Sequence, residues 1–355
     1  MTTTEVPIDR PLQDLNWDDL TFSITPTRSM WLMECDKELV WNEGQLEPFR
    51  NLQMSPAAGV LNYGQGAFEG MKAYHTEKNR IVLFRPEKNS RRFVDSATRL
   101  CMPPIPEDKF IEGVEAVVRD NADFVPPCGK GSLYIRPILW GSGPVLGVKP
   151  APWFSFLIYA SPVGLYFKGG LRCLNLKVSH EFHRAAPHGT GNAKAIGNYA
   201  ASLYPLMQAK EEGYDEVIYL KADNEELVEE VGAANIFAVK GNKMVTPRLG
   251  GSILPGVTRD SVLIIAGELM GMVTEERDVT LEEVLEADEV FCTGTAAVVM
   301  PIGKITDREN TIVYCEEQIG PVARELYNTL TGIQKEEVED SFGSVSYTHL
   351  RAHET

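Results

Sequence analysis

Beyond residue 180 this chain alternates helix-like and strand-like segments, and that alternation limits the folds open to it more than any other feature. Residues 202–213 read as a helix, with Leu203, Leu206 and Met207 on one face and Gly213 as its stop. Strands are expected at 216–220 and 234–239, then a helix at 261–269 ended near Gly271. Thr280 and Glu283 stand at capping-box spacing, opening a short helix before a strand at 289–292. Earlier in the chain, residues 81–84, 133–136 and 153–159 have β-rich composition. Between them, Phe110, Ile111, Val114, Val117 and Val118 recur at helical spacing. Glycines and prolines mark an exposed loop at 141–152 and a second bend at 167–170. The expected fold class is therefore α+β, mixed α and β, in two domains. At roughly 150 residues per domain, a chain of 355 residues agrees with that count. A boundary falls near 163–180, which gives residues 1–167 as a smaller domain, 168–181 as a linker and 182–340 as a larger domain. Residues 341–355 have no apolar period and read as a tail without function.

Charge narrows the partners. With 34 basic and 50 acidic residues the formal charge is −16, which disfavours nucleic acid and anionic membrane surfaces. No apolar run approaches the ~20 residues of a spanning helix. The stretch MTTTEVPIDRPLQD lacks the apolar core of a signal peptide and has too many acids for a transit peptide. Six scattered cysteines without a C-x-x-C pair argue against a disulfide framework or a zinc site, so a reducing cytoplasm and no metal are expected.

Several familiar patterns fail. Gly141-x-Gly143 meets Leu146 where a dinucleotide fingerprint needs glycine. Lys130 lacks the Ser or Thr that follows a P-loop lysine, and His180 and His183 are three apart where a helical zinc motif needs four. There is no Gly-x-Ser-x-Gly elbow.

One lysine stands apart. Residues 182–210 hold no Asp or Glu, where the chain's average would place about four. Within that window Lys194 sits among Gly189, Gly191, Ala193, Ala195 and Gly197. Composition alone favours a solvated lysine on a turn. The alternative is a buried amine able to act as nucleophile or Schiff-base former, with glycines clearing space for a flat ligand.

Lys194-Ala-Ile-Gly-Asn-Tyr199 resembles the lysine motif of fold-type-IV pyridoxal-phosphate enzymes, and among them the branched-chain amino acid aminotransferases. Six further motifs stand in the family's order. They begin at Leu61 (LNYGQGAFEG), Leu83 (LFRP), Tyr134 (YIRP), Glu230 (EVGAANIF), Leu254 (LPGVTRD) and Gly294 (GTAA). The resemblance covers about residues 20–340. It implies a fold like that of D-amino acid aminotransferase, with pyridoxal 5'-phosphate as cofactor. It also implies transamination of Leu, Ile and Val with 2-oxoglutarate to give 2-oxo acids and L-glutamate.

The resemblance carries roles onto individual positions. Lys194 matches the Schiff-base lysine, which then serves as general base and acid. Glu230 matches the carboxylate beside the pyridine nitrogen, and Tyr199 the partner of the phenolic oxygen. Arg92, Leu254, Val257, Thr258 and Thr295 match the phosphate-binding set. The Val257 and Thr258 amides are expected at a helix N-terminus, a ready anion site. Tyr134 with Thr295 and Ala296 match the holders of the substrate α-carboxylate, and Arg136 the acceptor of a γ-carboxylate. Tyr63, Phe68 and Tyr166 match an apolar pocket completed by Val145 and Leu146 from a partner subunit, so the resemblance implies a homodimer or larger homo-oligomer. Where mammalian members carry a redox C-x-x-C, this chain reads Ala297-Val-Val-Met300, so thiol regulation is not expected there. Two alternatives stay open. A D-amino acid aminotransferase or aminodeoxychorismate lyase would share the lysine, glutamate and phosphate turn. A cofactor-free relative acting as a binding partner would purify colourless.

Overall fold

The computed structural model describes residues 15–165 and 170–347. The chain divides into two compact units, one of residues 1–168 with 332–355 and one of residues 169–331.

The first unit is a wholly antiparallel sheet with its two long helices on one face. Its elements are β1 (Ser29–Cys35), β2 (Gln45–Pro48), α1 (Gly59–Tyr63), β3 (Gly66–Phe68), β4 (Met71–His75), β5 (Ile81–Phe84), α2 (Pro86–Arg99), α3 (Glu107–Asp120), β6 (Ser132–Gly141) and β7 (Phe154–Val163). Strands β6 and β7 form its long centre, in register from Ser132↔Val163 to Gly141↔Phe154. On α3 the expected periodicity buries Phe110, Val114, Val117 and Val118, and α2 adds Phe93 and Ala97. The rings of Phe93, Phe110 and Phe156 then meet at 5.4–6.0 Å between centroids, joining both helices to β7. Because side chains alternate along a strand, Tyr134 and Arg136 of β6 face away from this core while Leu133 and Ile135 enter it.

The second unit holds β8 (Leu174–Ser179), α4 (Ile196–Ala201), α5 (Leu203–Glu211), β9 (Glu216–Lys221), β10 (Asn224–Val231), β11 (Asn235–Lys240), β12 (Lys243–Pro247), α6 (Val257–Ile264), β13 (Val273–Arg277), α7 (Leu281–Leu285), β14 (Glu289–Gly294), β15 (Val298–Asp307), β16 (Asn310–Val313) and, as far as residue 331, α8 (Pro321–Gln334). Its main strand order is β10-β9-β8-β15-β14-β11-β12-β13. Two of its parallel pairs, β8 with β9 and β12 with β13, join strands consecutive in the chain. Parallel neighbours need long crossovers. One crossover carries Lys194, and the other carries the turn before α6. The expected cap is present: Thr280 Oγ1 accepts from Glu283 N at 3.1 Å and starts α7.

Four expectations change. The segment read as a linker, 168–181, contains β8, whose Leu174, Leu176 and Val178 alternate inward. Its period of two is visible in sequence, but the preceding glycines hide it. Residues 332–340 belong with the first unit, where Tyr74 Oη donates to Gln334 Oε1 at 3.1 Å and Glu336 receives Thr76 and Arg80. The supposed tail supplies β17 (Val345–Tyr347), which pairs with β5 and so covers that strand's open edge. On α5 the expected inward face is exposed at Leu203 and Met207, and the buried residues are Pro205 and Ala209. Ala209 packs against Val217 and Tyr219 of β9, where a large side chain would not fit so close to the sheet. The bend at 167–169, with Tyr166, lies outside the described residues.

Candidate active site

Lys194 ends a turn of small residues just before α4. Asn198 holds that turn. Its Nδ2 donates to Thr190 O (2.7 Å) and Ala193 O (3.0 Å), while its Oδ1 accepts from Thr190 Oγ1 (2.7 Å). The half-buried Lys194 Nζ donates to Tyr199 Oη at 2.9 Å, one helical turn on. The glycines do more than clear space for a ligand. A Cβ on Gly191 would lie 2.0 Å from Ser252 O, so bare backbone there lets the lysine turn touch the loop before α6.

Glu230 lies on β10, near its end. Sequence makes it one of four acids, but the strand sorts them: Glu225 and Glu226 are exposed, while Glu229 and Glu230 are buried. Adjacent strand residues normally face opposite sides, and a register shift between Val228 and Glu230 accompanies this departure. Burial pushes the Glu230 carboxyl up to about 7, with Arg184 pulling against it and Glu229 adding to the rise. Lys194 is near enough to lower it too. Burial likewise raises the Glu229 carboxyl. Arg184 Nη2 reaches Glu230 Oε2 at 2.6 Å, and Asn235 Nδ2 reaches Oε1 at 2.8 Å.

The turn after Leu254 leads into α6, capped by Gly256, so the helix starts at Val257 rather than at residue 261. Val257 and Thr258 are its first two residues, and their N–H groups have no partner within the helix ladder. The Leu254 carbonyl is already engaged by Asn235 Nδ2 at 3.0 Å. Thr295 and Ala296 form the half-buried tip between β14 and β15. Val298, at φ +65°, holds left-handed backbone that a β-branched residue rarely adopts.

Among the described residues of the first unit, the matched positions fall into three groups. Arg92 is buried on α2. Its Nε and Nη2 donate to Glu69 Oε1 and Oε2 at 2.7 and 2.8 Å, and Asn89 Nδ2 donates to Oε2 at 2.8 Å. Phe68, Tyr134 and Arg136 cluster on neighbouring strands. The Arg136 guanidinium lies 4.7 Å from the Phe68 ring centroid and donates to Tyr134 Oη at 3.2 Å. Gly70 admits that hydroxyl, since a Cβ there would sit 2.1 Å from it. Tyr63 belongs with the loop residues instead, donating its hydroxyl to Leu146 O. Val145 is buried and anchors the loop, its N–H donating to Ala57 O at 2.8 Å, whereas Leu146 is 93% exposed. The sequence reading did not single out Glu69, Asn89, Arg184, Asn198 or Asn235. Arg184 was legible as a charged residue inside the acid-free window, and Asn235 as part of the Glu230 motif.

Residues 66–305 match the family described as amino-transferase class IV. This chain belongs to that family. This class IV aminotransferase is 48% identical over 340 residues to branched-chain-amino-acid aminotransferase 5, chloroplastic, of Arabidopsis thaliana, a match spanning 96% of this chain and 81% of the relative. It is 47% identical to branched-chain amino acid aminotransferase 1, mitochondrial, of Humulus lupulus, over 93% of this chain and 84% of the relative. Among solved structures, the branched-chain amino acid aminotransferase of Escherichia coli superposes at a TM-score of 0.78 and 29% identity, covering 91% of this chain and 99% of the other. The fold is the fold-type-IV α+β architecture.

The cytoplasmic expectation does not stand, because these relatives at nearly half identity are named chloroplastic and mitochondrial. An acidic, cysteine-scattered chain suits any reducing aqueous compartment, so composition was never able to discriminate among them. No helix among the described residues is long and apolar enough to cross a membrane.

Proposed function

We propose that this class IV aminotransferase transfers amino groups between branched-chain L-amino acids and 2-oxoglutarate, using pyridoxal 5'-phosphate. The observation that carries the reading is the Lys194–Tyr199 contact in a unit that also buries Glu230, within a chain 48% identical to a branched-chain aminotransferase. The donor set fits the cofactor. One unit supplies an amine, a phenol, a buried carboxylate and a helix N-terminus, which are the groups demanded by an aldehyde, a phenolic oxygen, a pyridine nitrogen and a phosphate. When bound, pyridoxal phosphate supplies a carbonyl that captures amines and a ring that accepts electron density from the amino acid's Cα.

Lys194 Nζ is the amine that would hold the cofactor's aldehyde carbon, and the same nitrogen would serve as the base for the amino acid's Cα proton. Tyr199 holds that amine at 2.9 Å and is the hydroxyl that would partner the phenolic oxygen. Glu230 is the carboxyl group that would partner the pyridine nitrogen. The amides of Val257 and Thr258, with Leu254 and the Thr295 hydroxyl, would hold the phosphate. In the first unit Arg92, which matches the family's phosphate arginine, is held by Glu69. In the second unit the Thr295–Ala296 tip would offer donors to a substrate carboxylate. In the first, Tyr134 carries the matching hydroxyl, and Phe68, Tyr63 and Tyr166 match positions that favour apolar side chains.

Arg136 is the group for a second carboxylate. Replacing it with methionine is expected to raise KM for 2-oxoglutarate by roughly 10–100-fold, the worth of a charged hydrogen bond. KM for leucine should change little. Steady-state kinetics with each substrate varied in turn checks this, and an equal rise for both would remove Arg136 from that role.

The assembly is a homodimer in which the Tyr63–Leu146 loop reaches a second copy. Support comes from Leu146 and Val148, 93% and 88% exposed on a loop whose base is anchored by Val145. Sedimentation velocity on the wild type and Leu146→Asp should show a dimer weakened by the substitution. A monomeric wild type would overturn it. For the reaction itself, the absorbance spectrum of the purified protein before and after L-leucine is the direct test. D-alanine as the alternative donor separates this activity from that of a D-amino acid aminotransferase.

A further inference from the structure

Two buried side chains join the carboxylate at Glu230 to the turn before α6, and each does so through a single nitrogen. Arg184 Nη2 donates to Glu230 Oε2 at 2.6 Å and to Ser252 O. Asn235 Nδ2 donates to Glu230 Oε1 at 2.8 Å and to Leu254 O at 3.0 Å. Each of these nitrogens carries two hydrogens. One goes to a carboxylate oxygen and the other to a carbonyl of the turn, with the two carbonyls two residues apart. The far side of Asn235 is equally constrained, because a Cβ on Gly256 would meet its Oδ1 at 2.1 Å.

We infer that Arg184 and Asn235 form a clamp that sets the spacing between Glu230 and the Leu254–Thr258 turn, so that the ring nitrogen and the phosphate of pyridoxal phosphate are recognised together. The inference rests on the roles assigned above to Glu230 and that turn. It makes Arg184 and Asn235 positioning residues for the cofactor. The physical argument is preorganisation. A ligand held at two ends gains the full sum of its end interactions only if the protein fixes their separation beforehand. Arg184, Glu230 and Asn235 are all more than nine-tenths buried, so water cannot take over the lost bonds cheaply.

The test measures dissociation constants of pyridoxal phosphate, pyridoxal and inorganic phosphate on the cofactor-depleted full chain. The variants are Asn235→Ala and, in case that one does not fold, Arg184→Lys, which keeps the charge but not the planar fork. Both are expected to weaken pyridoxal phosphate by about 10–100-fold, the loss of a hydrogen bond to a charged group. Pyridoxal and inorganic phosphate, each engaging one end, should bind nearly as to the wild type. Undiminished affinity for pyridoxal phosphate in the folded variants would overturn the clamp. So would full-sized losses for pyridoxal alone or phosphate alone, which would mark local support of one end. A wild type that binds pyridoxal phosphate no better than phosphate would instead overturn the cofactor reading on which the clamp depends.

Discussion

Lys194→Ala is expected to lower turnover of L-leucine with 2-oxoglutarate by about 10⁴-fold or more, and to abolish the near-visible absorbance of the lysine-bound cofactor in the same protein. The two losses go together because the proposed function gives one nitrogen both tasks: it would hold the cofactor's aldehyde carbon and act as the base for the Cα proton. Its surroundings support both roles. Tyr199 Oη at 2.9 Å fixes where the amine points, and the Asn198 side chain pins the turn that precedes it. The substitution removes a half-buried side chain at the edge of a helix, so the fold should survive it. Near-wild-type turnover in the alanine variant would falsify the assignment of Lys194. Turnover lost with the absorbance band intact would place the proton carrier here and the cofactor's amine elsewhere.

Glu230→Gln is expected to reduce turnover by about 10²–10³-fold, the usual effect of removing one preorganised electrostatic partner. It should also change how stability depends on pH. Burial raises the folded-state pKa of Glu230 from its ordinary 4.5 to about 7. Below 4.5 the carboxyl is protonated in both folded and unfolded chains and costs nothing. Between 4.5 and 7 the unfolded chain releases a proton that the folded chain retains, so the contribution of Glu230 falls as pH rises and levels off above 7. The total drop is on the order of 3 kcal/mol. Unfolding free energies of the cofactor-free proteins, measured across that range, should show the extra downward slope in the wild type and not in the glutamine variant. Parallel curves would mean that Arg184 holds Glu230 ionised throughout.

Some of this site was legible in the residues themselves. The acid-free window pointed to Lys194, and the Leu254 turn was expected to present the Val257 and Thr258 amides at a helix N-terminus, where α6 places them. The phenol five residues beyond the lysine falls within hydrogen-bonding reach because a helix begins between them. Other parts were not legible, for identifiable reasons. Leu203 and Met207 carry a helical apolar period, yet the sheet selects the small Ala209 instead, since close packing rewards fit before hydrophobicity. Tyr63 and Phe68 are five residues apart in one motif, but a helix end and a strand send them to different neighbours.

What the sequence by itself determined is the kind of chemistry and the local elements. Residue types at fixed spacing within a motif encode a lysine turn, a helix N-terminus, a capping box and alternating strands, because those depend on neighbours a few positions away. What only the tertiary structure decided is which long-range partners complete them. Arg184 and Asn235 lie 46 and 5 residues from Glu230, yet they take opposite oxygens of one carboxylate. Four acids in a row of six became two solvated and two buried when β10 paired with β9. Burial and pairing are properties of the folded sheet, and it is burial that sets this carboxyl apart from the exposed acids beside it in the chain.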